Sequence, residues 1–381
     1  MERAAPTRLL SLDVFRGLTI AGMLLVNNPG SWAAIYPPLE HATWNGWTPT
    51  DVIFPFFLFI VGVTTHLSLT ARRSRGATDR DIMLNVVRRG AIIVLLGWLM
   101  AGFPYYPLTR ITEIRIPGVL PRIGVAYIFG ALLTMRTTLK QQIIILAVLL
   151  YGYWIVQTLI PVPGQHEIGA LLLNRPDATL SAWLDRTLLG GHLWISSKTW
   201  DPEGILSTIP AIGTVILGVL TGRWLTRSDL PMAERLNGMF VAGAIGMMVG
   251  LMWNWSFAIN KSLWTSSYVM FTAGMGCVAL AACVWIVDVH DIRWWTRPFV
   301  IFGTNPILAF VGSGVLARII YSLIKVPYQG ETISLEEAIY RSVFASWLDP
   351  RDASLAFAVS IVLFWLAILT ILYRKKIFLK V

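Results

Sequence analysis

The chain is poor in charge and in cysteine. Only 14% of its 381 residues are Asp, Glu, Lys or Arg, while 55% are hydrophobic. That balance excludes ordinary soluble composition, in which about a quarter of residues carry charge. The two cysteines, Cys277 and Cys283, lie six apart in one apolar run. They do not share a helix face, so no disulfide is expected. There is no HExxH, no Cys/His cluster and no dense group of carboxylates, so no metal is expected either. Phosphate-binding loops, a GxGxxG turn after a strand and a Gly-x-Ser-x-Gly elbow are all missing, which sets aside nucleotide-loop and serine-hydrolase chemistry. Internal repeats and low-complexity segments are also lacking. The first apolar run contains Asp13 and Arg16 and is followed by no small-residue cleavage site, so it does not read as a removable signal peptide.

What the chain has instead is apolar runs of about twenty residues, enough to cross a ~30 Å hydrocarbon layer. Ten spans are predicted, near 12–29, 51–71, 84–102, 117–135, 141–160, 205–222, 237–256, 265–287, 298–321 and 354–373. The expected fold is all-α: one polytopic transmembrane helical bundle over 1–381, with outer loops at about 30–50, 161–204 and 322–353. No soluble domain is expected ahead of the spans. With ten spans, alternate loops and both ends share one side. That side collects Arg3, Arg8, Arg72, Arg73, Arg75, Arg80, Arg88, Arg89, Arg136, Lys140, Arg223, Arg227, Arg235, Arg293, Arg297, Arg374, Lys375, Lys376 and Lys380, which is 19 of the 31 basic residues. The asymmetry is the positive-inside pattern and predicts both termini in the cytoplasm. Topology and anionic lipid account for the net charge of +10, so nucleic acid is not needed as a partner.

His41 then falls on the outer side, in the stretch His41-Ala42-Thr43-Trp44-Asn45-Gly46-Trp47-Thr48-Pro49-Thr50-Asp51 just before span two. Histidine exchanges a proton near neutral pH, so this loop is a candidate for chemistry on a polar substrate. An interfacial belt of Trp44 and Trp47 with a merely solvated His41 reads the same residues as architecture. Charges inside spans are costly and are functional candidates by default. Asp13 and Arg16, three apart, can pair on one helix face. Asp51 begins a helix, where a carboxylate suits the positive end of the dipole. Arg122 could hold an anionic group or pair with an outer acid. Asn27 ends span one, either as a helix cap or as an amide donor to an oxyanion. His66 lies inside span two and reads as a packing or lining residue. Trp200-Asp201-Pro202-Glu203-Gly204 joins acid to aromatic, the combination that meets sugar hydroxyls and ring faces, or a plain helix start with an interfacial Trp.

Taken together, these segments resemble the heparan-alpha-glucosaminide N-acetyltransferase family. The resemblance rests on Arg8-Leu9-Leu10-Ser11-Leu12-Asp13-Val14-Phe15-Arg16-Gly17 with Val26-Asn27, on His41 to Thr48 with Asp51 and Phe54-Pro55, on Trp200 to Pro210, and on Lys261-Ser262-Leu263-Trp264-Thr265-Ser266-Ser267-Tyr268. It implies acetyl-CoA as co-substrate, His41 as the catalytic histidine and Asn27 as its companion. Trp44, Asn45, Asp51, Trp200, Asp201, Glu203, Arg122 and Lys261 are then expected on the acceptor side. Arg72, Arg73 and Arg89 are expected at the phosphates of CoA, because guanidinium is the natural partner where no phosphate loop exists. Asp13 and Arg16 are expected as a structural ion pair. The animal enzyme has a luminal N-terminal domain and an extra leading span; this chain opens on the Leu-Asp-Val-Phe-Arg-Gly helix and is similar to bacterial members, which implies a bacterial inner membrane. The expected partners are the bilayer, acetyl-CoA and an amino-sugar or envelope-glycan acceptor, with homodimerisation left open. The competing reading is a transporter of amino sugars or their derivatives.

Overall fold

The computed structural model describes residues 9–106 and 112–379. Arg3, Arg8 and Lys380, counted above among the basic residues, lie outside them. Fourteen helices follow one another: α1 (Leu10–Asn27), α2 (Ile53–Ser74), α3 (Asp79–Gly102), α4 (Val119–Arg136), α5 (Leu139–Leu159), α6 (Gly169–Leu172), α7 (Leu180–Leu189), α8 (Ile205–Leu225), α9 (Met232–Trp253), α10 (Ser266–Cys283), α11 (Arg297–Thr304), α12 (Pro306–Arg318), α13 (Leu335–Ile339) and α14 (Pro350–Arg374). Among the described residues ten helices are long and apolar enough to cross a membrane, with α2 extended back to Pro49 by a 3₁₀ turn and α10 extended to Val289 by a π turn. These ten match the ten predicted spans. Helices can cross lipid because they satisfy every backbone group within the segment.

The ninth span departs from the expectation of one helix over 298–321. It is broken at Asn305 into α11 and α12. Pro306 is the cause: its ring bars a helical residue before it and it has no N–H to give. Asn305 accordingly sits at φ −132°, ψ 55°. The long loops carry structure of their own. The loop over 161–204 contains α6 and α7, and the loop after α12 begins with an antiparallel hairpin, β1 (Lys325–Tyr328) on β2 (Glu331–Ser334), in the register Lys325 with Ser334. An otherwise all-α chain thus holds one short hairpin among the described residues.

Close helix contact sets the core. Where α2 crosses α8, a Cβ on Gly62 would stand 2.0 Å from the Val215 carbonyl oxygen, and one on Gly218 would stand 2.1 Å from that of Phe59. Small residues let backbones approach in this way where lipid supplies no hydrophobic drive between helices. Around this crossing Phe59, Ile60 and Val63 pack with Leu280 and Val284 of the α10 span, and Leu58 packs with Val215, Trp264 and Tyr268. α2 therefore lies at the centre, and its two ends hold the two ends of the site.

Candidate functional site

Asp51 organises the loop that carries His41. Pro49 starts the 3₁₀ turn, and Asp51 is its third residue, so its carboxylate can reach back over the turn. Asp51 Oδ2 accepts from the backbone N–H of Thr48 (3.1 Å), from Thr48 Oγ1 (3.2 Å) and from the N–H of Ala42 (3.0 Å). Its other oxygen, Oδ1, lies 2.6 Å from His41 Nδ1. The Asp51 side chain is 1% exposed, that of His41 46%. A buried carboxylate thus orients an accessible imidazole and, because it can only accept, draws the imidazole proton to Nδ1. Asp51, expected on the acceptor side, is at once a helix-start carboxylate and the partner of His41.

A lysine completes the group. Lys261 Nζ stands 3.0 Å from His41 Nδ1, 3.3 Å from Nε2 and 3.5 Å from Asp51 Oδ1. Burial pulls its ammonium below the usual lysine range, and the Asp51 carboxylate opposes that pull. The loop bearing Lys261 is tied down by backbone and amide bonds: Gly46 N–H to the Ile259 carbonyl (2.7 Å) and Asn260 Nδ2 to Asn45 Oδ1 (3.1 Å). Asn45 Nδ2 donates in turn to Asn174 Oδ1 (2.7 Å). Asn45 therefore stitches three loops together, and it is not among the residues lining the cavity described next.

His41 and Lys261 face a cavity of about 1130 Å³. Its outer part is lined by Trp44, Trp194, Trp200, Glu203 and Arg115, its middle by Ile20, Met23, Phe54, Phe57, Ile123 and Phe310, and its other end by Arg72, Asn85, Arg88 and Arg89. Asp51 and Arg72 are at opposite ends of one helix, about 30 Å apart at ~1.5 Å per residue, and both line this one cavity. Asn27 lines it too. The helix-capping role belongs to its neighbour: Asn28 Nδ2 bonds the Leu24 carbonyl at 2.8 Å. The Asn27 amide has no hydrogen-bond partner among the described residues.

A family model described as heparan-alpha-glucosaminide N-acetyltransferase, catalytic, matches residues 8–253. The chain belongs to the heparan-alpha-glucosaminide N-acetyltransferase family. Proteins of that name in Homo sapiens and Mus musculus are 30% and 29% identical to it, across 99% and 100% of the chain. The chain spans about three-fifths of the length of these relatives, 60% and 61%. The family match takes in His41, Asn27, Asp51 and the arginines; Lys261, eight residues past its end, is joined to them by the fold.

Within this family member the outer acids are already engaged. Arg115 donates through Nε to Asp201 Oδ2 (2.8 Å) and through Nη2 to Asp201 Oδ1 and Glu203 Oε2. Burial draws the Arg115 guanidinium down, and the two carboxylates push it up by more. Glu203 and Trp200 line the cavity, whereas Asp201 holds Arg115 behind them. Trp44, Trp200 and Trp194 form an edge-to-face run with ring separations of 5.2 and 5.5 Å; Trp44 is anchored by Nε1 to the Leu173 carbonyl at 2.8 Å. Arg122 is away from the cavity. It is 2% exposed, stacks on Trp264 at 5.0 Å and donates to Ser207 Oγ and to the Gly204 carbonyl. Asp185 grips the same turn, accepting from the Ile205 N–H at 2.9 Å. A Cβ on Gly204 would stand 2.0 Å from Asp185 Oδ2, so only glycine fits there.

On the basic face, Arg72 and Arg89 line the cavity, and Arg89 Nε is buried without a partner. Arg73 turns away, to Asp79 Oδ1 (3.1 Å) and the Met135 carbonyl (3.2 Å). Arg88, and not Arg73, is the further arginine in the cavity lining. Arg16 pairs with Asp13 at 3.2 Å, bonds the Gly303 carbonyl at 3.2 Å and also lines the cavity. His66 bonds Thr226 Oγ1 at 3.2 Å. The residues that sequence reading missed are Arg115, Asp185 and Arg88. Arg88 was within reach, since neighbouring positions on α3 carry Asn85 and Arg89; Arg115 and Asp185 are single charges in long loops with no spacing to mark them.

Proposed function

We propose that this chain is a transmembrane acetyltransferase, moving an acetyl group from acetyl-CoA on the basic face of the membrane to an amino sugar or envelope glycan on the other. The observation that carries this reading is the cavity itself, which has a cluster of arginines at one end and an oriented histidine at the other. The arginine end suits a polyphosphate: three guanidinium groups meet there, and one has an unpartnered buried nitrogen. The largely apolar middle suits the uncharged pantetheine arm. In the orientation proposed, the basic face is cytoplasmic in a bacterial inner membrane; a cysteine placed at position 198 is then labelled from outside only.

In the direct mechanism, His41 Nε2 takes a proton from the acceptor amine or hydroxyl as that atom attacks the thioester carbonyl. The carbon–sulfur bond breaks and the thiolate leaves with the proton from the imidazolium. The Asn27 amide and the Lys261 ammonium supply N–H groups toward the developing oxyanion. In the two-step variant, Nε2 itself takes the acyl group and passes it on. Trp44 and Trp200 offer flat faces to a sugar ring, and Glu203 offers a carboxylate.

The test is His41→Ala in proteoliposomes loaded with acetyl-CoA and given glucosamine outside. Transfer is expected to fall by about 10²–10⁴ or more, with acetyl-CoA binding retained. A folded variant working at the wild-type rate overturns the mechanism. A discontinuous ninth span is a feature that transporters use at their sites; uptake of labelled glucosamine without acetyl-CoA would favour that reading instead.

A further inference from the structure

The break at Asn305 is also where the chain returns to itself. At the end of α14, Lys376 adopts φ 56°, and the N–H groups of Ile377 and Lys376 bond the carbonyls of Leu372 (2.9 Å) and Tyr373 (3.1 Å). This is a Schellman turn, the local device that ends a helix by reversing the chain. A lysine occupies the left-handed position that usually calls for glycine. Phe378 folds back against Tyr373, with ring centroids 6.2 Å apart. The reversed segment then meets the broken span. Asn305, 1% exposed, donates through Nδ2 to the Ile377 carbonyl (3.1 Å) and accepts at Oδ1 from the Leu379 N–H (2.8 Å). Both halves of a buried amide are spent on the backbone of one short segment, as a neighbouring strand would spend them.

This latch has a position that matters. Leu379 lines the cavity, together with Gly303, Thr304, Pro306 and Ile307 from the two sides of the break. α11 starts at Arg297 on the basic face, so Thr304 lies about 10 Å along it at ~1.5 Å per residue. Through Leu379, this segment therefore forms part of the cavity wall between the arginines and the apolar middle. Nothing in the proposed chemistry at His41 uses Asn305 or this segment.

We propose that Asn305 is a positioning residue for the acyl donor: it latches Ile377–Leu379 as a strap that forms one wall of the donor passage and sets how firmly the donor is held. The proposal rests on the reading of the cavity as an acyl-CoA site. Because the strap touches the passage and not His41, it acts on donor affinity and leaves the chemical step nearly alone.

Two variants release the strap: Asn305→Ala, and truncation after Lys376, which leaves the bundle helices whole. Each is expected to raise the KM for acetyl-CoA about tenfold while changing kcat and the KM for glucosamine little, the pattern of lost uniform donor binding. A second readout does not depend on turnover. In hydrogen exchange, the Leu379 N–H, bonded to Asn305 Oδ1, is expected to exchange slowly in the parent and at least about ten times faster in Asn305→Ala, since latch opening governs its access to water. Equal exchange rates with and without Asn305 overturn the latch. Slow exchange in the parent combined with an unchanged KM for acetyl-CoA in both released variants overturns the role given to the strap and leaves the acetyltransferase reading standing. Failure of every variant and the parent protein to bind acetyl-CoA, whatever the exchange rates, overturns that reading and the strap's role with it.

Discussion

Exchanging Asp51 for asparagine replaces one carboxylate oxygen with an NH₂ group, and the surroundings decide which one. Three donors converge on Oδ2: the N–H of Ala42, the N–H of Thr48 and Thr48 Oγ1, at 3.0, 3.1 and 3.2 Å. The amide must keep its oxygen there. Its NH₂ then takes the Oδ1 position, 2.6 Å from His41 Nδ1 and 3.5 Å from Lys261 Nζ. An N–H aimed at Nδ1 forces the imidazole proton onto Nε2, the nitrogen that has to accept one. Losing a general base costs about 10²–10⁴ in rate, or roughly 3–5.5 kcal/mol of barrier at 1.36 kcal/mol per decade. In the Ser-His-Asp triad the same Asp-to-Asn exchange drops kcat by about 10⁴ through the wrong tautomer. The fold should survive, since the three bonds at Oδ2 persist and Lys261 is partly exposed, which keeps its loss well below the several kcal/mol of a fully buried broken pair. The assay is acetyl transfer to glucosamine with acetyl-CoA binding measured in parallel. A kcat within about threefold of wild type, with binding intact, would refute the assignment of His41 as a base held by Asp51.

Asn27→Ala is expected to lower kcat by about 10²–10³, with little change in melting temperature, because the capping amide is Asn28; a kcat close to wild type would remove Asn27 from the oxyanion. Arg72→Gln together with Arg89→Gln should raise the KM for acetyl-CoA and flatten its salt dependence, whereas Arg73→Gln, whose guanidinium is spent on Asp79, should do neither; equal effects from all three would point to a general surface charge. Burial pushes the Asp185 carboxyl up to about 7. Between about 4, its unfolded value, and that point, the folded chain holds a proton that the unfolded chain has lost. Stability should therefore fall as pH rises through that window, by an amount on the order of 4 kcal/mol. Asp185→Asn should flatten this slope in thermal melts, and an unchanged slope would assign it to other groups.

The spans were legible because lipid demands length and apolarity together, and both are local properties of a sequence. The break at Asn305 was also written locally, in Pro306, but the apolar run on either side masks it. His41 stood out as a titratable group in a polar, aromatic loop. Its partners did not. Asp51 is ten residues away, and only the geometry of the turn at Pro49 folds its carboxylate back. Lys261 is 220 residues away, brought in by the packing of α9 and α10 and by loop stitches through Asn45 and Asn260. Arg72 and Arg73 illustrate a finer limit: adjacent on one helix end, they point about 100° apart, so one meets the cavity and the other meets Asp79. Sequence spacing gives the angle between them but not which of the two faces inward.

The apolar middle of the cavity has an electrical consequence. Ile20, Met23, Phe54, Phe57 and Phe310 offer water few hydrogen bonds, and apolar linings of this kind disfavour the passage of ions. In the proposed reaction, a charge carried through this apolar middle would cross the membrane voltage at about 2.3 kcal/mol per unit charge per 100 mV. If the donor's phosphates stay among Arg72, Arg88 and Arg89, as proposed, the groups that pass the apolar middle are a neutral acyl thioester on the way out and a neutral thiol on the way back. The proposed acetyl transfer would then be electroneutral, and its rate independent of the membrane potential.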